Sequence, residues 1–175
     1  STGAWLRVLS AFPTGEQIEV VEINPGYLTL MRRYPHLAPA LDDKRVRFHI
    51  DDGRRWLRRH PAERFDLIVM NTTFHWRANI TNLVSRQFLE LARERLAPGG
   101  ILAYNGTGSP DVLRTAAEVF PHSYQWSNFV YAAAHDFRPR LLDTAAPQRV
   151  AEVRVGERSR TASEQTAQEA AVRTL

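Results

Sequence analysis

The sequence predicts an α/β protein with a Rossmann-like, doubly wound and mainly parallel β-sheet. Two observations predict this fold class. Short β-branched runs that are typical of buried strands alternate along the chain with helical patterns, and turns rich in Asp, Asn and Gly follow the strands. Because parallel strands need crossover helices, such alternation is typical of a sheet that helices cover on both faces.

Strands and helices follow one another in a regular order. The predicted strands are residues 17–23 (QIEVVEI), 45–50, 65–70 (FDLIVM), 101–105, 124–126 and 129–133. The predicted helices are residues 4–9, one opened by Asn24-Pro25-Gly26 and ended by Pro35, one that buries Trp56 and Leu57, one from Ser85 through Leu96 and one that starts at Ser109-Pro110-Asp111. Pro98-Gly99-Gly100 stops the fourth helix. The last two strands are expected to pair as an antiparallel hairpin.

The start of the chain is unusual for this fold. A helical pattern begins at Ala4 with no strand before it, whereas doubly wound domains begin with a strand and a glycine-rich turn. We therefore expect the first strand to be missing and the sheet to have an unpaired edge in its place. Residues 1–138 are predicted to form the Rossmann-like domain, and residues 139–175 a flexible polar tail.

The composition of the chain argues against nucleic-acid binding and against a membrane-spanning segment. The chain has no cysteine, a net charge of +4 and a pI near 9.9, but Lys44 is its single lysine. Such an arginine bias indicates codon composition more than a nucleic-acid surface, and Arg54–Arg59 has the spacing of a solvated helix face. No stretch approaches the ~20 apolar residues that span a membrane. We expect a cytoplasmic domain without nucleic-acid or membrane contacts, although fusion to a membrane region elsewhere stays open.

Two carboxylates follow successive strands, where ligands bind in doubly wound sheets. Glu22 ends the QIEVVEI strand and can accept hydrogen bonds from both hydroxyls of a ribose; alternatively it caps the following helix. Asp52 can accept a hydrogen bond from the exocyclic amine of adenine, with Gly53 allowing close approach of the ring; alternatively it is an ordinary capping residue. Together they predict a nucleoside site.

These motifs resemble those of a known family. Residues 21–25 (VEINP), Asp51-Asp52-Gly53, residues 65–69 (FDLIV) and residues 96–100 (LAPGG) are similar, in order and spacing, to the spermidine synthases, the polyamine aminopropyltransferases. The resemblance implies a class I methyltransferase-like fold. It also implies that Glu22 holds the ribose of decarboxylated S-adenosylmethionine or a related adenosyl compound, and that Asp52 and Gly53 hold the adenine.

The chain departs from the family at the catalytic loop. An Asp-Ser-Ser-Asp type of loop in the family reads Asn71-Thr72-Thr73-Phe74 here. Asn71 therefore stands at the position of the Asp that deprotonates the attacking amine, and an amide cannot take that proton. His75 is a second candidate base, with a packing role as the alternative. Asn71 is also expected to contact the cofactor.

Amide and hydroxyl side chains surround the expected mouth of the site: Asn71, Thr72, Thr73, Asn79, Thr81, Asn82, Asn105 and Thr107. Such an opening suits a neutral polar group better than a polycation.

We expect a spermidine-synthase-like protein that binds decarboxylated S-adenosylmethionine or S-adenosylmethionine without a metal. A polyamine is expected as the second small molecule, and a homodimer as one assembly. The alternatives are an S-adenosylmethionine-dependent methyltransferase and a non-catalytic relative that binds a nucleoside or a partner.

Overall fold

The fold is described from a computed structural model, which describes residues 4–12, 14–34, 41–71 and 80–141. The helices are α1 (Ala4–Ser10), α2 (Gly26–Arg32), α3 (Gly53–Arg59), α4 (Arg86–Glu94), α5 (Pro110–Val119) and α6 (Arg138–Leu141), with a 3₁₀ helix at Ile80–Leu83. The strands are β1 (Ile18–Glu22), β2 (Val46–Ile50), β3 (Phe65–Met70), β4 (Leu96–Asn105), β5 (His122–Trp126) and β6 (Phe129–Ala133).

The strands form two sheets. In one, β1 pairs with β2 in parallel; in the other, the order is β3-β4-β6-β5, with β3 parallel to β4 and the remaining pairs antiparallel. The predicted parallel pairing and the predicted hairpin are thereby confirmed. Within the described part of the chain, each outer strand of the two sheets (β1, β2, β3 and β5) has a strand neighbour on one side only. Any outer strand has such an edge, so the missing first strand stays a prediction.

The described residues fall into two compact units. The first comprises those up to Ile50 together with Phe137 to Leu141, and the second those of Asp51–Asp136. In the first unit, Leu6 of α1 and Met31 of α2 are buried, and the apolar side chains of β1 and β2 pack against them. Alternation along both strands produces this face, because side chains at every second position share one side of a sheet.

Helices α3, α4 and α5 supply the core of the second unit together with β4 and β6. The fully buried side chains include Phe88 and Leu89 of α4, Leu102 and Tyr104 of β4, and Val130 of β6. Helix α4 contacts β4 and α5, and α5 contacts β5 and β6. The apolar positions of α4 recur every three to four residues, so a single face of this helix is buried.

Among the described residues of this unit, the buried charged residue is Arg95. The side chain of Arg95, which follows α4, donates a hydrogen bond from Nε to the backbone oxygen of Leu57, at 3.2 Å. This bond links the end of α3 to the end of α4. It also satisfies a guanidinium donor that burial would otherwise leave without an acceptor.

Two sequence-based expectations are wrong at the boundary between α4 and β4. Helix α4 ends at Glu94 rather than continuing through Leu96, and Leu96 pairs with Phe65 as the start of β4. The register then shifts, because β3 advances from Phe65 to Leu67 while β4 advances from Leu96 to Ile101. The Pro98-Gly99-Gly100 segment therefore forms a bulge within the strand rather than a loop before it.

The predicted starts of the helices agree with the structure better than the predicted end of α4 does. Ser85 caps α4, since its Oγ accepts a hydrogen bond from the backbone N–H of Phe88 at 3.4 Å. Ser109 precedes α5 as predicted, but its hydroxyl makes no capping bond. The turn before α5 is closed instead by a backbone hydrogen bond from Ser109 N to Gly106 O, at 3.0 Å.

Candidate functional site

Glu22 is the last residue of β1, as predicted. It pairs in register with Ile50, the last residue of β2. The side chain is half-buried, and its Oε1 accepts a hydrogen bond from the backbone N–H of Asn24 at 2.9 Å. The Oδ1 of Asn24 in turn accepts from the N–H of Gly26, at 2.9 Å. The turn into α2 therefore holds one carboxylate oxygen of Glu22 in place.

Asp51 and Asp52 follow Ile50 directly, and the structure separates their roles. Asp51 pairs with Arg55 one helical turn later and with Arg59 at 3.5 Å. The hydrogen bond from Arg55 is the main reason why the pKa of the Asp51 carboxyl is lowered. The Asp51 carboxylate is thus paired with arginines of the helix that follows it, α3.

Asp52 is the N-cap of α3, which is the structural alternative that the sequence left open. Its Oδ1 accepts a hydrogen bond from the backbone N–H of Arg55 at 2.9 Å, in the extended conformation that helix caps adopt. A carboxylate has a second oxygen, so capping and ligand binding are compatible in one side chain. A Cβ placed on the neighbouring Gly53 would meet no described atom within 4 Å apart from its chain neighbours and its own helix backbone. The described residues thus leave open space directly beside Asp52.

Asn71 follows β3, and the structure brings it to Asn105 at the end of the adjacent strand β4. The Nδ2 of Asn105 donates a hydrogen bond to the Oδ1 of Asn71 at 3.1 Å. The Oδ1 of Asn105 accepts from the backbone N–H of Thr107 at 2.8 Å. Parallel pairing of Met70 with Tyr104 places the two asparagines side by side. Three members of the predicted polar set therefore lie together.

The other candidate residues of the predicted site are exposed or lie outside the described residues. Thr81 and Asn82 are exposed in the 3₁₀ helix. Thr72, Thr73, Phe74, His75, Trp76 and Asn79 lie outside the described residues. The predictions for His75 as a base and for the loop around it therefore stay predictions.

Sequence reasoning missed two features near these positions. The ion pair of Asp51 with Arg55 has i,i+4 spacing, which the sequence displays and which predicts such a contact on a helix. Trp126 is 44% exposed at the tip of the β5–β6 hairpin, beside Ser127 with a positive φ of 53°. Its register partner Phe129 also pairs with Asn105. An aromatic hairpin tip thus lies next to the end of β4.

Two negative findings apply to the described ranges only. No group of three His, Cys, Asp or Glu side chains there has the geometry to hold a metal ion. Nor does any helix in those ranges have the length and apolar character needed to cross a bilayer.

Comparison with solved structures identifies the fold. The chain is similar to a spermidine synthase in complex with the transition-state analogue AdoDATO, with a TM-score of 0.72, 17% identity and coverage of 99% of this chain and 67% of that one. It is also similar to human methyltransferase-like protein 13 in complex with SAH, with a TM-score of 0.64, 21% identity and coverage of 94% and 82%. The predicted Rossmann-like, methyltransferase-like fold is confirmed.

Several proteins that act on polyamines are similar in sequence to part of the chain. The chain is 32% identical to spermine synthase of Arabidopsis thaliana over 101 residues, which cover 57% of this chain and 28% of that protein. It is 33% identical to the polyamine aminopropyltransferase of Agathobacter rectalis over 109 residues, covering 62% and 37%. It is 30% identical to putrescine N-methyltransferase 2 of Nicotiana tabacum, covering 57% and 28%. The chain thus spans well under half the length of these relatives.

The family model for the spermine/spermidine synthase domain matches residues 1–118, about two thirds of the chain. The matched range includes Glu22, Asp52, Gly53, Asn71 and Asn105. On this match, and on the motifs at the ends of β1 and β2, the chain belongs to the spermine/spermidine synthase domain family.

Proposed function

We propose that this protein binds an adenosyl sulfonium or thioether, either decarboxylated S-adenosylmethionine or S-adenosylmethionine, as a spermidine-synthase-like member of its family. The observation that carries the proposal is the Glu22 carboxylate, held at the end of β1 within the segment that the family model matches. Two structural neighbours are named for complexes with AdoDATO and SAH, which are adenosyl compounds.

Glu22 is the proposed ribose ligand. Its Oε1 is fixed by the Asn24 backbone, which orients the carboxylate before any ligand arrives. Two vicinal hydroxyls can then donate to one carboxylate, and such charge-assisted hydrogen bonds are stronger than neutral ones. Pre-orientation also reduces the side-chain entropy that binding would otherwise cost.

Asp52 and Gly53 are the proposed adenine ligands. The cap bond to Arg55 fixes the Asp52 side chain through Oδ1. The other carboxylate oxygen can accept from the exocyclic amine of adenine. The open space at Gly53 provides room for a flat ring, because no side chain in the described part of the chain lies within 4 Å of a Cβ placed there, its chain neighbours aside.

The ribose assignment is tested by titrating methylthioadenosine into the purified protein and into Glu22→Gln. Loss of the charge should weaken binding by about 1.5–3 kcal/mol, or roughly tenfold to a hundredfold in Kd. Glu63→Gln is the matched control: it makes the same chemical change at an exposed position before β3 and should bind like the wild type. Equal affinity of Glu22→Gln and the wild type would refute the ribose assignment.

We further propose that the protein has little or no spermidine synthase activity. A polyamine amine is protonated at neutral pH and must lose a proton before it can attack the carbon beside the sulfonium. Asn71 cannot accept that proton, and Phe74 cannot attract a cation as a carboxylate would. Loss of a general base typically lowers the rate by ~10²–10⁴-fold.

The assay supplies decarboxylated S-adenosylmethionine and putrescine to the wild type and to an Asn71→Asp, Phe74→Asp double variant. We expect spermidine from the double variant only. Formation of spermidine by the wild type at an ordinary rate, of order 1–10³ s⁻¹, would overturn the proposal. His75 would then be the first alternative base, and loss of that activity in His75→Ala would identify it.

Methyl transfer is the second candidate function. The specific observation in its favour is that one relative, at 30% identity, is named putrescine N-methyltransferase 2. Ribose and adenine contacts are the same for the two cosubstrates, so Glu22 and Asp52 do not distinguish them. A non-catalytic nucleoside-binding role is the outcome if neither transfer is detected.

A further inference from the structure

The asparagine pair, defined as Asn71 and Asn105, has its amide orientations fixed by a backbone group. A backbone N–H can only donate, so the Asn105 atom that faces Thr107 N, at 2.8 Å, is the carbonyl oxygen Oδ1. The amide nitrogen of Asn105 must then be the atom that faces Asn71. An amide nitrogen also can only donate, so Asn71 turns its oxygen Oδ1 toward Asn105, at 3.1 Å.

This chain of hydrogen bonds determines what Asn71 offers to a ligand. The oxygen and nitrogen of a primary amide diverge from the same carbon, so with Oδ1 turned toward Asn105 the Asn71 Nδ2 is directed to a different side. Asn71 is exposed at the carboxyl end of β3. The group presented there is therefore an uncharged hydrogen-bond donor, whereas a carboxylate at the same position would present a charged acceptor.

We propose that the asparagine pair selects adenosyl ligands whose side chain carries a hydrogen-bond acceptor, namely the carboxylate of an amino acid, over ligands that end in a propylammonium group alone. Asn71 contacts the ligand, and Asn105 is a positioning residue that keeps the Asn71 nitrogen turned outward. This inference rests on the proposed adenosyl site and specifies its substrate class as S-adenosylmethionine rather than its decarboxylated form.

Two stable thioethers that differ by one carboxylate test the inference. S-adenosylhomocysteine carries an amino-acid end, and its decarboxylated counterpart carries a propylammonium end; methylthioadenosine, with neither, reports the nucleoside site alone. Isothermal titration of the purified wild type should give a Kd for S-adenosylhomocysteine about tenfold or more below that of the decarboxylated compound.

Three variants distinguish the proposed contact between Asn71 and the ligand carboxylate from a general effect of charge. Asn71→Asp should abolish or reverse the preference, because the new carboxylate repels the ligand carboxylate and attracts the ammonium. Asn105→Ala should reduce the preference without a change of charge, because Asn71 can then turn its oxygen outward. Gln87→Glu adds the same charge on the exposed first turn of α4 and should keep the wild-type ratio.

The possible failures are distinguishable. If the wild type binds methylthioadenosine but prefers the decarboxylated thioether, or does not discriminate, the inference is wrong and the nucleoside site stands. If Asn105→Ala, with an unchanged melting temperature, keeps the full preference, Asn105 has no positioning role. If none of the three compounds binds, the proposed function fails together with the inference.

Discussion

Gly53→Ala should change stability and ligand binding in opposite directions. Gly53 is the first residue of α3, and outside its own helix and chain neighbours a Cβ there would meet no atom of the described residues within 4 Å. Alanine restricts the unfolded chain more than glycine does and is the better helix former, so the substitution should stabilise the fold by about 0.4–1 kcal/mol. Among the described residues beyond its own helix and chain neighbours, no atom opposes the added methyl group.

A bound ligand would clash with the methyl group that Gly53→Ala adds. An adenine ring that packs on Gly53 needs the space that the new methyl group occupies, because nonbonded carbon atoms approach to about 3.5–4 Å. Overfilling a packed site by one methyl typically costs about 1–3 kcal/mol, which corresponds to roughly a fivefold to 150-fold increase in Kd. We therefore expect weaker binding of methylthioadenosine by a more stable protein.

The assay combines urea denaturation with isothermal titration of methylthioadenosine. Gly99→Ala is the matched control, because its Cβ also meets no atom of the described ranges within 4 Å, chain neighbours aside, but its φ is +81°. That backbone conformation disfavours alanine, so the control should lose about 1–2 kcal/mol of stability and keep wild-type affinity. Wild-type affinity in a stabilised Gly53→Ala protein would refute the placement of adenine at Gly53. Destabilisation by Gly53→Ala would refute the reasoning about the open space.

Two further predictions concern the stability of the fold at the starts of strands. Gly100→Ala should destabilise the β3–β4 pair by about 1–3 kcal/mol in urea denaturation, because its Cβ would lie 2.7 Å from the backbone oxygen of Phe65; an unchanged midpoint would contradict the bulge geometry. Asp43, whose pKa is lowered to about 2 from an ordinary 3.8, chiefly by its hydrogen bond from Arg45, should stabilise the fold above about pH 4 and lose that contribution as the pH falls toward 2. Asp43→Asn should therefore lower the melting temperature at pH 7 and flatten its decline between pH 4 and pH 2, and parallel curves for the two proteins would contradict the assignment.

The family could be predicted from local sequence because its motifs are contiguous. VEINP, DDG and LAPGG each need only a few adjacent residues, and the family model matches the range that contains them. Strands were also predictable where a run of apolar residues is bounded by turns, as at Phe65–Met70, whose predicted and observed limits coincide. Helix starts at Asp52 and Ser85 followed from capping residues, since a cap acts on its own first turn.

The features that the sequence left undecided depend on contacts between distant residues. Leu96 continues the apolar pattern of a helix, yet it pairs with Phe65 because the strand partner outweighs local helix propensity. Whether Asp52 caps a helix or binds adenine could not be decided from its type, because one carboxylate can do both.

The sequence by itself determined that a neutral amide, Asn71, follows β3 where the resemblance implies an Asp. Only the tertiary structure decided which face that amide presents. Asn71 and Asn105 are 34 positions apart in the chain, and the parallel register of β3 and β4 brings them together. The backbone N–H of Thr107 then fixes both amide orientations, because a hydrogen bond has a donor and an acceptor that cannot be exchanged.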